Sequence, residues 1–477
     1  MGVKSKSGSR LESFVENPPK ALWSLAIPIM LGMGIHTLYN LVDMIFIGQL
    51  GGDAIAGVAF NMPLFFLMLG LTMGLGSGVT ASIARFIGEK NKVNADNSAE
   101  HALAIGLGIA AVFTTAGILF GKSMLFSLGA EGVILEMAWD YLFIIIVGLP
   151  FMVFSGFFRS ILAGEGDMKF PMMVAGFGTI LNIILDPIFI FKLERFGGFG
   201  FDMGVKGAAA ATVICQLVVF LIFVYMLFVR EHAYVTFRLK DFTPSKAILW
   251  DIVKVGFPAS VSMIIMAVGQ GVFNKILIHY SSQTVAAYQV AGRLDMLIFL
   301  PIFAIAGGMT TLVGMFYGAK EIKTLNFIIK YGISRAFFIT LASSAFVYVF
   351  APTFSSWFTP NLEGATAVEV IQAKEIVDVS VGFLRLIVLV YPFVAIAIIS
   401  GRVMQGLGKG IPVLVITTVR VLGISAPLAL YFTFVLDKPV EWNWYAMMIS
   451  TGVAFAIAVN WIRFELNKIN KPQQASA

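Results

Sequence analysis

The sequence predicts an all-α integral membrane protein with about twelve transmembrane helices, arranged as two six-helix lobes related by a pseudo-two-fold axis along the membrane normal. Hydrophobic residues make up 58% of its 477 residues and charged residues only 13%, whereas soluble domains are about 25% charged. Apolar runs long enough to cross a bilayer recur along the whole chain, and its two halves are related by an internal repeat. The spans and short loops fill the available length, which leaves no room for an added soluble domain.

The apolar runs follow one another with short polar breaks. We predict spans at 21–47, 54–84, 101–120, 137–158, 170–192, 205–229, 250–279, 284–315, 327–351, 376–401, 411–435 and 442–464. The first run is too long for a signal peptide and lacks a small-residue cleavage pattern, so it is expected to remain as a span. The predicted organisation is a tail at 1–20, an N-lobe at 21–230, a linker at 231–249, a C-lobe at 250–465 and a second tail at 466–477.

The positive charges are distributed unevenly between the two sides of this topology. Most of the 33 Lys and Arg residues fall on the side of the chain termini, which places both termini in the cytoplasm of a multi-pass plasma-membrane protein. Topology and anionic lipid headgroups account for the net charge of +6, so no nucleic-acid partner is expected. The expected partners are the lipid bilayer and small organic substrates, and we expect the chain to act as a monomer.

An ungapped repeat relates residues 26–90 to residues 256–320. The matched pairs include Pro28 with Pro258, Gly78 with Gly308, Gly88 with Gly318 and Lys90 with Lys320. Six spans per repeat is an even number, so the two halves cross the membrane in the same sense. Two such lobes leave a cleft between them, and rocking about that cleft is the usual route to alternating access, which favours a transporter.

Polar side chains inside the predicted N-lobe spans mark a candidate site. Ionisable residues are costly in the bilayer and are functional candidates by default. The first span carries a polar stripe of His36, Tyr39, Asn40 and Asp43 at helical spacing, the fifth span carries Thr179, Asn182 and Asp186 on one face, and the sixth contributes Thr212. Pro187 follows Asp186 and removes the backbone donor to the carbonyl of Ile183, which leaves an additional oxygen near the carboxylate.

These groups suit a small cation or a proton. Carboxylate, amide and hydroxyl oxygens are ligands for hard cations, so Asp43 and Asp186 could bind Na⁺. Two carboxylates that approach each other in a medium of low dielectric cannot both stay ionised at low cost, so the pair could instead hold a proton. The alternative is that each aspartate only forms hydrogen bonds between helices, and His36 is expected to be a packed polar residue.

The predicted C-lobe does not copy this pattern. At the repeat offset, Asp43 corresponds to Phe273 and Asp186 to Pro427. The seventh span instead presents Gln270 and Asn274, which we take as candidates for a substrate cavity. Ionisable residues Arg293, Asp295, Arg385 and Arg420 also lie in or at the ends of C-lobe spans. The lobes are therefore expected to be alike in structure and unequal in charge, with coupling in the N-lobe.

The sequence offers no recognisable enzyme site. It contains no HExxH pair, Walker loop or Ser-His-Asp grouping, so neither an enzymatic activity nor an organic cofactor is expected. Cys215 is the single cysteine, which excludes an intramolecular disulfide. The glycine-rich stretch 70–78 lies within a span and predicts a close-packing surface between helices.

Three segments of the N-lobe resemble the multidrug and toxic compound extrusion (MATE) family. They are LYNLVDMIFIGQLGGDAIAGVAF in the first two spans, NIILDPIFIF at 182–191 and VKGAAAATVICQ at 205–216. The resemblance implies an antiporter that exports organic, often cationic, compounds in exchange for H⁺ or Na⁺. It also implies a cation site at Asp43, Asn182, Asp186 and Thr212, with Tyr39 nearby and Pro28 at the bend of the first helix.

One departure from the family pattern points to a particular branch. Some members carry an acidic residue in the seventh span about two turns after the proline, where this chain has Met266. The sequence therefore resembles the archaeal and bacterial branch that relies on the N-lobe. The choice between H⁺ and Na⁺ as the coupling ion stays open. The alternative function is a flippase for lipid-linked precursors, because Arg293, Arg385 and Arg420 could bind a pyrophosphate. A channel is less favoured.

Overall fold

A computed structural model describes residues 6–192, 200–237, 242–357 and 366–474, apart from the side chains of 6–9, 38–41, 44 and 472–474. Within these ranges the regular structure is entirely helical. The segments Gly52–Gly88, Lys92–Ser127, Gly132–Gly164, Lys169–Ile190, Val205–Val229, Lys246–Leu277, Ser282–Gly318, Ile322–Ser356, Ile411–Val435 and Glu441–Lys471 are each long and apolar enough to cross a membrane. This agrees with the membrane class predicted from composition.

Within the described part of the chain, the N-lobe consists of seven helices, α2 to α8, which follow the short terminal helix α1. In chain order the helices are α1 (Lys6–Glu16), α2 (Pro18–Gly48), α3 (Gly52–Ala59), α4 (Met62–Gly88), α5 (Lys92–Ser127), α6 (Gly132–Gly164), α7 (Lys169–Ile190) and α8 (Val205–Val224, extended by a π-helical turn at Tyr225–Val229). Helix α2 has 31 residues, about 46 Å at 1.5 Å per residue, and is also long enough to span.

The C-lobe repeats this plan with one broken span. Its helices are α9 (Lys246–Leu277), α10 (Ser282–Gly318), α11 (Ile322–Ser356), α12 (Ala367–Ile387), α13 (Tyr391–Gly406), α14 (Ile411–Thr418), α15 (Ala426–Leu430) and α16 (Glu441–Gln474), with π-helical segments Val419–Ser425 and Tyr431–Val435 around α15. Helices α12 and α13 together form one span that bends by 60° at their junction. With α2 and this bent pair, the described ranges contain the twelve spans predicted.

Two predicted spans are interrupted. The second span, expected at 54–84, consists of two helices: α3 ends at Ala59 and α4 begins at Met62. Pro63 lies in the first turn of α4, where a proline is tolerated, whereas a proline inside a continuous helix would disrupt it. The tenth, expected at 376–401, breaks before Tyr391, and Pro392 likewise occupies the first turn of α13.

Backbone conformation confirms the internal repeat. Lys90 and Lys320 stand at matched positions after α4 and α10, and both have left-handed φ angles, 57° and 60°. Gly166 and Gly408 match in the same way, with φ of 78° and 80°. Since left-handed residues commonly end helices, each lobe terminates corresponding helices by the same device.

The lobes meet at one end of the protein, where α4, α6 and α10 end and α2 and α9 begin; we call this end the basic face. One hydrophobic core there joins the lobes and includes Leu22 and Val79 of the N-lobe with Ile252 and Met309 of the C-lobe. Toward the opposite end, the buried clusters belong to a single lobe each. The lobes are therefore packed together at the basic face and have separate cores at the other end.

Glycines make the contact at the basic face possible. A Cβ atom on Gly74 of α4 would lie 2.4 Å from the backbone nitrogen of Ser260 on α9, and one on Gly78 would lie 2.2 Å from the carbonyl oxygen of Ile252. The Ser260 hydroxyl also donates a hydrogen bond to the Leu71 carbonyl at 3.2 Å. The prediction that stretch 70–78 is a close-packing surface is confirmed, and the surface joins the two lobes.

The terminal helix α1 lies across the basic face. Leu11 and Phe14 are buried in the core shared by the lobes. Phe14 packs against Gly166 of the N-lobe, and Arg10 forms an ion pair of 3.0 Å with Asp167. The predicted N-terminal tail thus includes an amphipathic helix anchored to the helical bundle.

The connection between the lobes is bound to the N-lobe along its described length. The Glu165 carboxylate accepts hydrogen bonds from the backbone N–H groups of Tyr234 at 2.9 Å and Val235 at 2.8 Å. The Ser245 N–H donates to His101 Nε2 at 2.9 Å. These contacts keep the connection with the N-lobe up to the start of α9.

We expect the stability of the protein to depend on pH through Glu165. The residue lies outside the spans and is 1% exposed, and burial raises the pKa of its carboxyl from 4.5 to about 7. A raised folded-state pKa stabilises the protein at low pH, and this contribution is lost as pH rises through about 7. At 1.36 kcal/mol per pKa unit, it amounts to about 3 kcal/mol in all, of which about 2 kcal/mol is lost between about pH 5.5 and about pH 8.5.

The measurement is thermal unfolding of purified protein at about pH 5.5 and about pH 8.5, on either side of that pKa. Wild type should lose more stability between the two conditions than Glu165→Gln, whose amide stays neutral. Glu131→Gln, which alters an exposed loop carboxyl, is the matched control and should follow wild type. Equal pH dependence in wild type and Glu165→Gln would contradict the prediction.

Candidate cation site

Helices α2, α7 and α8 bring the predicted N-lobe residues together near the end opposite the basic face. Asp43 stands five residues before the end of α2, and Asp186 stands four residues before the end of α7. Small residues allow the helices to approach, since a Cβ atom on Gly207 of α8 would lie 2.3 Å from the Phe189 carbonyl oxygen of α7. Gly207, at the start of the Gly-Ala run at 207–211, therefore allows α7 and α8 to lie in close contact.

The two carboxyl groups face each other. The side chains of Asp43 and Asp186 are within hydrogen-bonding reach of one another. Asn182, one turn earlier on α7, donates from Nδ2 to Asp186 Oδ1 at 3.0 Å. Asp186 is 0% exposed and Asn182 is 3% exposed. A contact between two carboxyl groups, one of them fully buried, favours a proton or a cation between them.

Unpaired oxygen atoms remain in the site. Among the described residues, neither Asp186 Oδ2 nor Asn182 Oδ1 receives a hydrogen bond from an N–H or O–H donor. A buried polar atom without a partner is costly. Binding a proton or a small cation at these oxygens would remove that cost.

Two neighbours of the pair were missed by the sequence reasoning. Tyr141 of α6 lies within electrostatic reach of both Asp43 and Asp186. The Cys215 thiol of α8 lies within hydrogen-bonding reach of Asn182 and near Asp186. Tyr141 is a polar aromatic residue within an apolar span, which could have marked it as a candidate. The sequence does not show how α6 is rotated about its axis, and therefore does not show that Tyr141 faces the pair.

The remaining N-lobe candidates lie on α2, α7 and α8. Thr212 lies on α8 one turn before Cys215 and so on the same face, and Thr179 stands one turn before Asn182 on α7. Pro28 lies inside α2. His36 is exposed and within electrostatic reach of Arg159. The side chains of Tyr39 and Asn40 lie outside the described residues.

The C-lobe candidates do not gather into one group. Gln270 is exposed on α9, whereas Asn274 is half-buried and accepts a hydrogen bond from Gln289 at 3.1 Å. Arg385 lies 5.7 Å from the ring of Tyr348. Arg420 is within electrostatic reach of Tyr288 instead, and Arg293 is exposed on α10.

Comparison with known proteins agrees with this architecture. The MatE family model matches residues 28–188 and 258–431, one match for each half of the repeat, beginning at Pro28 and Pro258. A crystal structure of MATE in the bent conformation has a TM-score of 0.88, with 31% identity over 99% of this chain and 99% of that chain.

Two further comparisons extend the range of relatives. A MOP superfamily transporter from Pyrococcus furiosus, whose structure is described as having a binding pocket of reverse polarity that suggests a different function, has a TM-score of 0.87 and 33% identity over 95% of this chain and 97% of that chain. The probable multidrug resistance protein NorM of Thermotoga maritima is 27% identical over 416 residues, covering 86% of this chain and 84% of its own length.

The twelve spans, the two lobes and the buried polar site define a multi-pass membrane transporter. The family model covers well over half of the sequence, in both lobes, and the solved structures match nearly the whole chain. The chain belongs to the MatE family of transporters.

Proposed function

We propose that this protein is a secondary active multidrug exporter that exchanges organic, often cationic, compounds for H⁺ or Na⁺. The observation that carries the proposal is the contact between Asp43 and Asp186, supported by Asn182. Such a pair has a strong requirement for positive charge, which a proton or Na⁺ satisfies. Thr212 is proposed to complete the site, with Tyr39, Asn40 and Thr179 in support.

The arrangement of the cores supports alternating access as the mechanism. The lobes share one core at the basic face and have separate cores at the other end, so the protein is closed on one side only. The Asp43–Asp186 pair lies toward the other side, where it can exchange ions. Ion binding is proposed to change the packing of α2, α7 and α8, and thereby to shift the balance between this state and one open at the basic face.

The proposed orientation places the basic face and both chain termini in the cytoplasm, following the distribution of Lys and Arg. The protein is then a plasma-membrane exporter in an outward-open state. The proposed boundaries are 21–230 for the N-lobe, 231–249 for the linker and 250–465 for the C-lobe. A monomer contains both lobes and the complete cation site, and no organic cofactor is required.

For the substrate we propose small organic cations that enter the cleft between the lobes. Gln270 and Asn274 are the proposed polar contacts on the C-lobe side. Two of the three arginines behind the flippase alternative lie near tyrosines on different spans. Arg385 lies 5.7 Å from the ring of Tyr348, and Arg420 is within electrostatic reach of Tyr288. They are thus less suited to binding one pyrophosphate together, which favours drug export over lipid flipping.

The test is transport by purified protein in proteoliposomes. A fluorescent organic cation is followed under an imposed pH gradient without Na⁺, and under an imposed Na⁺ gradient at equal pH. We expect saturable, gradient-driven movement, and the gradient that drives it identifies the coupling ion. Failure of both gradients would overturn the antiport proposal, and movement that does not saturate would indicate a channel.

A further inference from the structure

The C-lobe contains a buried polar pair of its own, formed by Asp295 of α10 and Tyr391 of α13. The phenol O–H of Tyr391 donates a hydrogen bond to Asp295 Oδ1. Tyr391 is 3% exposed, and Asp295 is partly buried. We propose that this pair is a second proton-binding site, located in the C-lobe at the bend of the tenth span.

The position of Asp295 places it in the hydrocarbon region. It lies thirteen residues after Ser282, the first residue of α10, or about 20 Å along a helix that rises 1.5 Å per residue. Tyr391 is the first residue of α13, directly after the 60° bend that separates α13 from α12. The hydrogen bond therefore ties the bend to α10 within the membrane.

Few charged groups face this carboxyl. Tyr288 of α10 lies within electrostatic reach of Asp295 and Tyr391, and Arg420 from the eleventh span interacts with Tyr288. Helices α12 and α16 contribute the rings of Phe383 and Trp444, which pack on Tyr288. Among the described residues, the ion pairs do not include Asp295.

The internal repeat shows that the fold itself does not require this pair. In the ungapped repeat, Phe65 corresponds to Asp295. Further along, Leu149 precedes Pro150 as Tyr391 precedes Pro392, so Leu149 corresponds to Tyr391, and both N-lobe residues are apolar. The helix that contains Leu149 continues unbroken from Gly132 to Gly164, whereas its C-lobe counterpart is bent. The polar pair and the bend therefore occur together in one lobe and are both missing from the other.

The chemistry of the pair explains why it should bind a proton. An ionised carboxylate in the membrane interior with only a neutral phenol as partner is costly. Protonation removes that charge, while deprotonation strengthens the hydrogen bond from Tyr391, because bonds to ionised acceptors are stronger. Proton occupancy at Asp295 thus alters the bond that holds the first turn of α13 against α10.

The role of this site in transport rests on the proposed function, but proton binding can be measured without substrate or gradient. The experiment records infrared difference spectra between acidic and alkaline buffer in an Asp43→Asn, Asp186→Asn background. We expect a protonated-carboxyl C=O band that is lost in Asp295→Asn. Tyr391→Phe, which keeps the ring and removes the hydroxyl, should shift the same band.

The matched control is Asp378→Asn, which alters an exposed carboxyl on α12 of the same lobe and should leave the band in place. If Asp295→Asn does not fold, Tyr391→Phe still tests the assignment, because the carboxyl is retained. Spectra that are unchanged in Tyr391→Phe, or in a folded Asp295→Asn, would overturn the proposal. Failure of drug export in the proteoliposome assay would leave this result standing.

Discussion

Replacing Asp186 by asparagine should abolish gradient-driven export while the protein stays folded. The amide has nearly the same size as the carboxylate and can still accept the hydrogen bond from Asn182, which is 3.0 Å long in wild type. It cannot bind a proton in the working pH range, and it brings no charge to a bound Na⁺. Transport should fall to the level of protein-free liposomes, while substrate binding is retained.

Asp43 and Asp186 are expected to act as a unit in coupling. Asp43→Asn should lose coupling to the same extent, and the double variant should be no worse than either single variant, because residues in one network are not additive. The matched control is Asp53→Asn, which alters an exposed carboxyl on α3 of the same lobe and should transport normally. Normal gradient-driven export by Asp186→Asn would remove the N-lobe pair from the mechanism.

The second large effect is expected at Gly88, where the lobes meet. A Cβ atom on Gly88 of α4 would lie 2.1 Å from the Met315 carbonyl oxygen of α10. Its repeat partner Gly318 makes the reciprocal contact, since a Cβ atom there would lie 2.2 Å from the Arg85 carbonyl oxygen. Both obstacles are backbone atoms of long helices, so Gly88→Val should separate the lobes at the basic face.

Overpacking of this kind typically costs about 1–3 kcal/mol. A penalty of that size, applied to the closed face, shifts the balance between closed and open states by roughly 5–150-fold. Pulsed electron paramagnetic resonance with spin labels at the exposed positions of Glu89 and Glu321, in a Cys215→Ser background, measures the separation. The distance should increase in Gly88→Val.

A control for this experiment is Gly34→Val on α2, because a Cβ atom on Gly34 meets nothing within 4 Å. It should preserve the wild-type distance distribution. An unchanged distance in Gly88→Val, in protein that remains folded, would show that this contact does not hold the basic face closed.

Much of the fold could be predicted from the sequence because hydropathy and the repeat act over long segments. The twelve spans and the two lobes followed from these features, and the glycines at 70–78 identified a packing surface. The sequence did not indicate that this surface joins the lobes. Nor did it indicate the bend before Tyr391, because Pro392 at a helix start and Pro150 inside the continuous α6 look alike in the aligned repeats.

The candidate site could be predicted only in part, because the sequence shows which side chains are polar but not how the helices are rotated toward one another. Asp43, Asn182 and Asp186 are conspicuous because ionisable and amide side chains are rare in apolar spans. Tyr141 approaches them from α6, and its contribution depends on how α6 is rotated toward α2 and α7, which helical periodicity within one span does not determine. The Asp295–Tyr391 pair escaped notice similarly, because its members are 96 residues apart in sequence.

The central claim is that the coupling ion and the substrate bind in alternation, and equilibrium binding tests it most directly. The dissociation constant of a fluorescent organic cation is measured as proton concentration is raised at fixed Na⁺, and as Na⁺ is raised at fixed pH. Linkage requires that one of these ions weaken substrate binding in wild type, by about tenfold for 1.4 kcal/mol of coupling, and that Asp186→Asn abolish the dependence. A dissociation constant in wild type that responds to neither ion would contradict the account.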